Sequence, residues 1–230
     1  MYKKKKILVI VLARGGSKGI KNKNLKKING ISLVGLVGKF IKKINFIDLA
    51  VVSTDSHKIG NEAKKNNINF IFLRPKKIAG SKIMDETVLK HGLLETEKKL
   101  KTKFDIVLSL PPTSPLRKTK DVDLAIKKLV DEKLDAVWTI SKIDSKYHPY
   151  KALEIKQNKL VFFSSLGKKI KYRQQLSNIY FRNGNCYVFS RKAVIDKNIL
   201  PKKSGYILSR GIQISIDNFD DLAQVKKYLK

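Results

Sequence analysis

The stretch Ile7-Leu-Val-Ile-Val-Leu-Ala13, followed at once by Arg14-Gly-Gly-Ser-Lys-Gly19, decides the fold class. Seven consecutive apolar residues are typical of a strand buried on both faces, as in a parallel sheet. In the turn that follows, adjacent glycines let backbone N–H groups face a phosphate, although a tight loop without a ligand is the alternative. The stretch therefore predicts the first strand of an α/β domain with an anion-binding loop at its end.

Short apolar runs and segments of helical periodicity alternate along the rest of the chain. The predicted strands are 49–52, 69–73, 105–110, 136–141, 186–189 and 212–216, and the predicted helices are 32–46, 58–66, 85–100, 121–134 and 220–229. This alternation predicts a mostly parallel sheet flanked by helices, with right-handed crossovers. Residues 143–181, which include a hairpin pattern at 151–163, are predicted to leave the sheet.

Length and composition exclude several classes of protein. A chain of 230 residues suits one large α/β domain, and its single cysteine, Cys186, excludes an internal disulfide framework or a cysteine-based zinc site. No apolar stretch reaches the roughly 18 to 20 residues of a membrane span. Lys3–Lys6 and the apolar run superficially resemble a signal peptide, but the run is short and no small-residue cleavage site follows. We therefore expect a cytoplasmic protein with no membrane partner.

The net charge of +31 has two interpretations. It is typical of nucleic-acid binders, yet the lysines are scattered over nearly every segment, whereas such proteins usually concentrate charge in one stripe with aromatic residues interleaved. Lys, Ile and Asn are all abundant, as expected when AT-rich codons dominate. We favour compositional bias and expect no specific nucleic-acid partner.

Four polar clusters directly follow predicted strands, where open α/β sheets bind their ligands. They are Arg14–Lys18, Ser53–Asp55, Pro111–Arg117 and Asp217–Asp221. Asp217 also stands just ahead of the last predicted helix, where an acid stabilises the helix N-terminus. The convergence of these clusters predicts one site at the carboxyl edge of the sheet.

The glycine-rich stretch, with Lys23-Asn24-Leu25 after it, resembles the N-terminal signature of the acylneuraminate cytidylyltransferases, or CMP-sialic acid synthetases. Further blocks resemble that family in the same order: Val51-Val-Ser-Thr-Asp55, Leu73-Arg-Pro75, Pro112-Thr-Ser-Pro-Leu-Arg117, His148-Pro149, Arg173-Gln-Gln-Leu176, Asn183-Gly184 and Ser215-Ile-Asp217. The blocks run from residue 7 to about 222, so the resemblance covers nearly the whole chain.

The resemblance implies a Rossmann-like nucleotidyltransferase fold and a Mg²⁺-dependent reaction. Such enzymes transfer CMP from CTP to the anomeric hydroxyl of a nonulosonic, sialic-acid-like sugar and release pyrophosphate. The resemblance also implies a single domain over residues 1–230, with 143–181 as an inserted dimerisation subdomain. In the implied homodimer, Arg173 acts in trans.

The resemblance assigns a role to each matching residue. The implied catalytic residues are Arg14, Lys18, Lys23 and Asp217, with Asp217 also the metal ligand. The implied nucleotide-binding residues are Leu12, Ala13, Arg14, Gly15, Ser17, Asn24, Arg74 and Thr113. The implied sugar-binding residues are Arg173, Gln174, Arg182 and Asn183, of which Arg182 stands one residue closer to Asn-Gly than in the family.

Two departures leave the substrate open. Pro111 stands where the family commonly has Gln, and Ser215 stands where it has a second acid. The alternatives are a cytidylyltransferase for the eight-carbon acid KDO, whose members generally lack two of these blocks, and an inactive, basic, nucleic-acid-binding relative.

Overall fold

The quoted apolar run forms the first strand in the computed structural model, which describes residues 1–229. The strands are β1 Ile7–Leu12, β2 Lys27–Ile28, β3 Ile31–Ser32, β4 Leu49–Ser53, β5 Ile106–Ser109, β6 Ala136–Lys142, β7 Leu153–Lys156, β8 Lys159–Phe162, β9 Tyr180–Ser190 and β10 Ser204–Leu208. The helices are α1 Leu33–Ile41, α2 His57–Lys65, α3 Asp85–Leu100, α4 Thr119–Asp131, α5 Arg191–Ile195 and α6 Phe219–Tyr228.

Six strands form the main sheet in the order β10-β6-β9-β5-β1-β4. The pairs β1–β4, β1–β5 and β10–β6 are parallel, whereas β9 pairs antiparallel with both β5 and β6. The predicted α/β class with a mostly parallel sheet is confirmed. Because β1, β4, β5 and β6 run in one direction, their carboxyl ends lie along the same edge of the sheet.

Both faces of the sheet are covered, as the unbroken apolar run predicts. Ile7, Val9 and Val11 of β1 contribute to the core shared with α1, α2 and α4, while Leu8 and Ile10 contribute to the core shared with α3 and α5. Each fully buried side chain of this size stabilises the fold by about 1.5–3 kcal/mol.

A third, smaller core lies beside the carboxyl edge of the sheet. It joins Ile20 from the segment after the glycine turn to Ile216, and Leu222 and Val225 of α6 pack onto them. This core places α6 beside the segment that follows the glycine turn.

Two predicted strands are wrong. Residues 69–73 make a single bridge, between Asn69 and Val51, and then leave the sheet edge because Phe72 turns into the core. Residues 212–216 are irregular, and Ile216 N–H donates to the carbonyl of Thr113. The apolar spacing that suggested a strand there serves instead to pack Ile214 and Ile216 into the third core.

Strand β10 was missed because its apolar signal is short and contains Gly205. A Cβ at this glycine would lie 2.6 Å from Leu134 Cδ1, so the strand passes close to the end of α4. β10 pairs in parallel with β6 at one edge of the main sheet.

Residues 143–179, called the excursion below, lie outside the six-stranded sheet. β7 and β8 form the predicted hairpin, and its turn residues Gln157 and Asn158 both have positive φ, as a type I′ turn requires. Many large apolar side chains of the excursion are exposed, among them Ile155 at 73% and Leu160 at 70%. Within residues 1–229, no helix has both the length and the apolar character that a membrane crossing needs.

Candidate active site

The glycine turn after β1 is held by hydrogen bonds at both of its ends. Ala13 N–H donates to the carbonyl of Ser53, and Gly15 N–H donates to the Asp55 carboxylate at 2.8 Å. Ser17 N–H turns back onto the carbonyl of Gly15. The N–H group of Gly15, predicted to face the nucleotide, therefore already has an acidic partner at the end of β4.

Most of the predicted catalytic and nucleotide-binding residues line one cleft of about 420 Å³ at the carboxyl edge of the sheet. Its walls are the glycine turn, the loop after β5 and the segment before α6. The lining residues are Leu12, Arg14, Ser17, Lys18, Gly19, Lys23, Asn24, Pro111, Pro112, Thr113 and Asp217. Three clusters that lie far apart in the sequence thus meet at one place.

Lys23 and Asp217 form the central ion pair of this cleft. Lys23 Nζ lies 2.9 Å from Asp217 Oδ1 and donates to the carbonyl of Ile216 at 2.8 Å. The Lys23 side chain is only 15% exposed, whereas that of Asp217 is 74% exposed. The carboxylate is therefore fixed from one side by a lysine and remains open to solvent on the other.

The backbone at position 19 lies so close to the backbone of Asp217 that only a glycine fits there. A Cβ on Gly19 would lie 2.3 Å from the carbonyl oxygen of Asp217. The buried Asn24 side chain donates to the carbonyl of Arg14 at 2.9 Å. Asn24 thus braces the cationic loop through its amide nitrogen.

Asp217 is not the cap of α6. The cap is Asn218, whose side chain accepts from Asp221 N–H, while the Asp221 carboxylate accepts from the N–H groups of Asn218 and Asp217. Such a capping box satisfies the N-terminal donors of the helix. The Asp217 carboxylate therefore has no part in the cap.

A smaller cavity of about 210 Å³ adjoins the cleft, and Arg14 lines both. The other lining residues are Arg74, Ile78, Gly80, Ser81, Ile83, Asp85 and Val88. Arg74 is 4% exposed and donates to the hydroxyl and the carbonyl of Ser53. Burial lowers the pKa of Arg74 to about 10, although Asp55 and Asp85 oppose that shift.

The wall formed by the loop after β5 is held by a buried cation. Arg117 donates to the carbonyl of Pro111 and lies over the ring of Phe40 at 5.5 Å. Burial lowers the pKa of the Arg117 guanidinium to about 10. Gly184, with φ of 73°, passes so close to Ser114 that a Cβ would lie 2.8 Å from its hydroxyl.

The predicted sugar-binding residues do not lie together. Asn183 is buried, donates to Ser141 Oγ at 3.0 Å and accepts from Asn185 N–H, so its amide holds the fold of β9. Arg182 lies 5.1 Å above the ring of Trp138.

Arg173 lies in the excursion and lines a separate cavity of about 420 Å³, together with Lys142, Asp144 and His148. Gln174, in the same short turn, is exposed. His148 Nδ1 accepts from Tyr150 N–H, while its buried Nε2 has no partner among residues 1–229. Arg173 therefore lines a different cavity from the cleft that contains Arg14 and Asp217.

Four residues in these arrangements were not assigned a site role from the sequence. Asp55 was included in the polar cluster at residues 53–55 without a role of its own, and Gly19, Asp85 and Lys142 were passed over. The position of Lys142 at the end of β6 could have revealed it, because ligand-binding residues follow such strands. Gly19 carries no such signal, because its close approach to Asp217 exists only in the folded chain.

The described residues contain no group of three or more His, Cys, Asp or Glu side chains that could hold a metal ion. Among the described residues that line the cleft, Asp217 is the one that carries a carboxylate.

Several known proteins resemble this chain over most of its length. The model of a family described as cytidylyltransferase matches residues 8–229. The post-translational flagellin modification protein B of Campylobacter coli is 28% identical over 97% of this chain and 95% of its own length. The CMP-N,N'-diacetyllegionaminic acid synthase of Campylobacter jejuni is 29% identical over 92% of this chain and 90% of its own.

Among solved structures, a CMP:2-keto-3-deoxy-manno-octonic acid synthetase complexed with CTP has the same fold. Its TM-score is 0.73 at 15% identity, and the match covers 97% of this chain and 98% of that one.

Proposed function

Because the chain belongs to the cytidylyltransferase family, we propose that it transfers CMP from CTP to the anomeric hydroxyl of a nonulosonic acid and releases pyrophosphate. The observation that carries this proposal is the cleft in which three cations, Arg14, Lys18 and Lys23, line the same space as Asp217. The similarity to a legionaminic acid synthase supports the class of sugar.

The two adjoining cavities suit the two parts of CTP. The larger cleft, lined by cations, suits the triphosphate, and the smaller cavity beside Arg74 suits one pyrimidine ring. Because Arg14 lines both cavities, we assign it to the α-phosphate, where base and triphosphate are joined through the ribose.

The reaction needs positioning and charge stabilisation more than covalent chemistry. The anomeric oxygen of the sugar forms a bond to the α-phosphorus, the bond to the bridging oxygen breaks, and pyrophosphate leaves with that electron pair. The hydroxyl proton passes to solvent. Arg14, Lys18 and Lys23 stabilise the charge that develops on the phosphate oxygens, and one such preorganised donor contributes about 3 kcal/mol to transition-state stabilisation.

We assign Mg²⁺ to Asp217. The residues present fit this ion, because Mg²⁺ usually takes one or two carboxylates and completes its shell with water and substrate phosphates. Lys23 holds the carboxylate in place while leaving it open to solvent. The bound ion would neutralise negative charge on the triphosphate. Ser215 offers no carboxylate, so we expect the remaining ligands to come from CTP and water.

For the sugar we propose a site completed by a second copy of the chain. Arg173 shares its cavity with Lys142, and an arginine binds a carboxylate through two parallel hydrogen bonds. The exposed apolar residues of the excursion, such as Ile155 and Leu160, supply a surface for a homodimer. In such a dimer, Arg173 would reach the partner's cleft. We also propose a cytoplasmic location, where CTP is available.

Release of pyrophosphate from CTP tests the proposal directly. The protein is incubated with CTP, Mg²⁺ and one sugar acid at a time: N-acetylneuraminic, legionaminic and pseudaminic acids, and the eight-carbon acid KDO. We expect release only when all three components are present, and only with a nine-carbon sugar.

Pyrophosphate release with KDO and with none of the nine-carbon sugars would mean that the sugar substrate is the eight-carbon acid. No release with any sugar would overturn the proposed activity. Binding to duplex and single-stranded DNA at increasing salt serves as the parallel measurement, because tight, salt-sensitive binding without turnover would favour a nucleic-acid-binding relative.

A further inference from the structure

We propose that Asp85, at the start of α3, accepts a hydrogen bond from the 4-amino group of cytosine and thereby selects CTP over UTP. This inference rests on the proposed function, because it takes the smaller cavity as the base site. It adds a specificity-determining residue that the sequence blocks do not include.

Among the residues that line the cavity, Arg14 and Arg74 carry guanidinium donors and Asp85 carries a carboxylate. Arg74 is buried and uses two of its N–H groups on Ser53, which fixes the plane of the guanidinium. The remaining guanidinium N–H groups are donors beside the cavity. Asp85 lines the same cavity and supplies carboxylate oxygens, which accept only.

This pair of groups matches cytosine and mismatches uracil. The pairing edge of cytosine has acceptors at O2 and N3 and a donor at N4, so it complements a guanidinium on one side and a carboxylate on the other. Uracil carries an oxygen at position 4, which would face the carboxylate oxygens without a proton between them. Carboxylates serve as acceptors for cytosine N4 in the same way when proteins read DNA.

The Asp85 carboxylate is available for this contact. No hydrogen bond from residues 1–229 affects its titration, and the charges that act on it come from Glu86 on its own helix and from Arg74, Arg182 and Arg14. Burial and Glu86 raise the pKa of Asp85, while the three arginines oppose that shift. The three arginines thus place positive charge beside this carboxyl group, although the net effect of burial and Glu86 is a raised pKa.

A purely structural role for Asp85 would be to stabilise α3. An acid in the first turn interacts favourably with the N-terminus of a helix, and Met84 at the cap position makes no side-chain bond. That role predicts equal losses of stability for any neutral replacement and no change in the choice of base.

The test compares CTP with UTP in the wild type, Asp85→Asn and Asp85→Ala. Asn keeps the size of the side chain and adds an N–H donor that can face uracil O4. We expect the ratio of kcat/KM for CTP to that for UTP to fall about tenfold or more in Asp85→Asn, partly through a gain with UTP. In Asp85→Ala, CTP turnover should fall without that gain. Glu95→Gln, farther along the same helix, is the matched control and should keep the wild-type ratio.

Binding of CMP and UMP, measured by calorimetry, separates this inference from the proposed reaction. If the wild type binds CMP over UMP and Asp85→Asn loses that preference, the inference stands even when no sugar turns over. If both variants lose thermal stability equally and keep the wild-type preference, Asp85 is structural and the inference is overturned. The inference also fails if the wild type binds both nucleotides equally.

Discussion

The cleft at the end of β1 and the excursion differ in how many of their side chains have partners within the same chain. In the cleft, Asn24 braces the backbone of Arg14, and Lys23 holds Asp217. In the excursion, the hairpin pairs only with itself, and its apolar side chains are exposed. The chain thus holds the residues of the cleft with its own hydrogen bonds, whereas the excursion leaves large apolar side chains exposed.

The largest expected effect lies in the cleft. Arg14→Ala and Asp217→Asn should each lower kcat about 100- to 1,000-fold, because each removes a preorganised charge from the developing transition state. Both side chains are near the surface of the cleft, so circular dichroism and the melting temperature should stay close to the wild type.

Two neighbours supply matched controls for these variants. Asp220→Asn removes a carboxylate from the first turn of α6, and Lys21→Met removes a cation from the cationic segment without touching the cleft lining. Wild-type kcat in Arg14→Ala or Asp217→Asn would contradict the role of that residue in the reaction. An equal loss of kcat in the two controls would show that the effect is not specific to the residues of the cleft.

An intermediate effect tests whether the excursion completes the site of a second copy. Arg14→Ala and Arg173→Ala are each expected to be inactive, but a mixture of the two should regain about a quarter of wild-type activity. The reason is that half of the randomly formed dimers are mixed, and each mixed dimer has one site with both arginines.

The same experiment includes a variant that blocks dimerisation. Ile155→Asp places a charge in the exposed apolar surface and should yield monomers in sedimentation velocity and abolish the regained activity, while Lys156→Glu should do neither. A mixture that stays inactive although mixed dimers form would show that Arg173 serves its own chain.

The smallest expected effect lies in the body of the domain, away from both regions. Glu97 on α3 accepts from Arg191 at 2.9 and 2.8 Å and from Phe104 N–H at 3.1 Å. Burial raises the pKa of Glu97, but these bonds and the charge of Arg191 outweigh it, so that the net pKa is lowered. Glu97→Gln should therefore lower the free energy of unfolding by about 1–3 kcal/mol at neutral pH.

The sign of this effect gives its pH dependence. A carboxyl group with a lowered pKa stabilises the fold above its unfolded pKa and loses that contribution as the pH falls through the folded value. The free energy of unfolding in urea should therefore differ less between wild type and Glu97→Gln once the pH is below 4.5, the ordinary pKa of glutamate. A difference that is constant from neutral to acid pH would contradict the role of the ion pair.

The elements with strong periodicity were predicted well, and the weak ones were not. Helix α3 spans the predicted residues 85–100, and β1 follows the apolar run, because both bury side chains in the pattern that their sequence displays. Residues 212–216 misled the prediction, since their alternating isoleucines pack into a small core beside α6 without strand pairing. β10 carried too little apolar sequence to be recognised.

Most of the residues that line the cleft could be predicted from the sequence, but the contacts between them could not. The motifs after β1 and β5 and the acid before α6 were all visible, and the third core brings them to one cleft. Neither the hydrogen bond between Asp55 and Gly15 nor the place of Asp85 beside Arg74 follows from any spacing. These partners are 40 and 11 residues apart and meet only when the loops have their final shape.

The local pattern of the chain was enough to predict the class of the fold and an anion-binding loop, because hydrophobic periodicity and glycine-rich turns depend on neighbouring residues. Which groups share a space depended on the folded structure. The folded chain places Lys23 against Asp217, brings the segment before α6 beside the glycine turn, and separates Arg173 from the cleft. The physical reason is that burial, hydrogen bonding and charge act between atoms in space, whatever their separation along the chain.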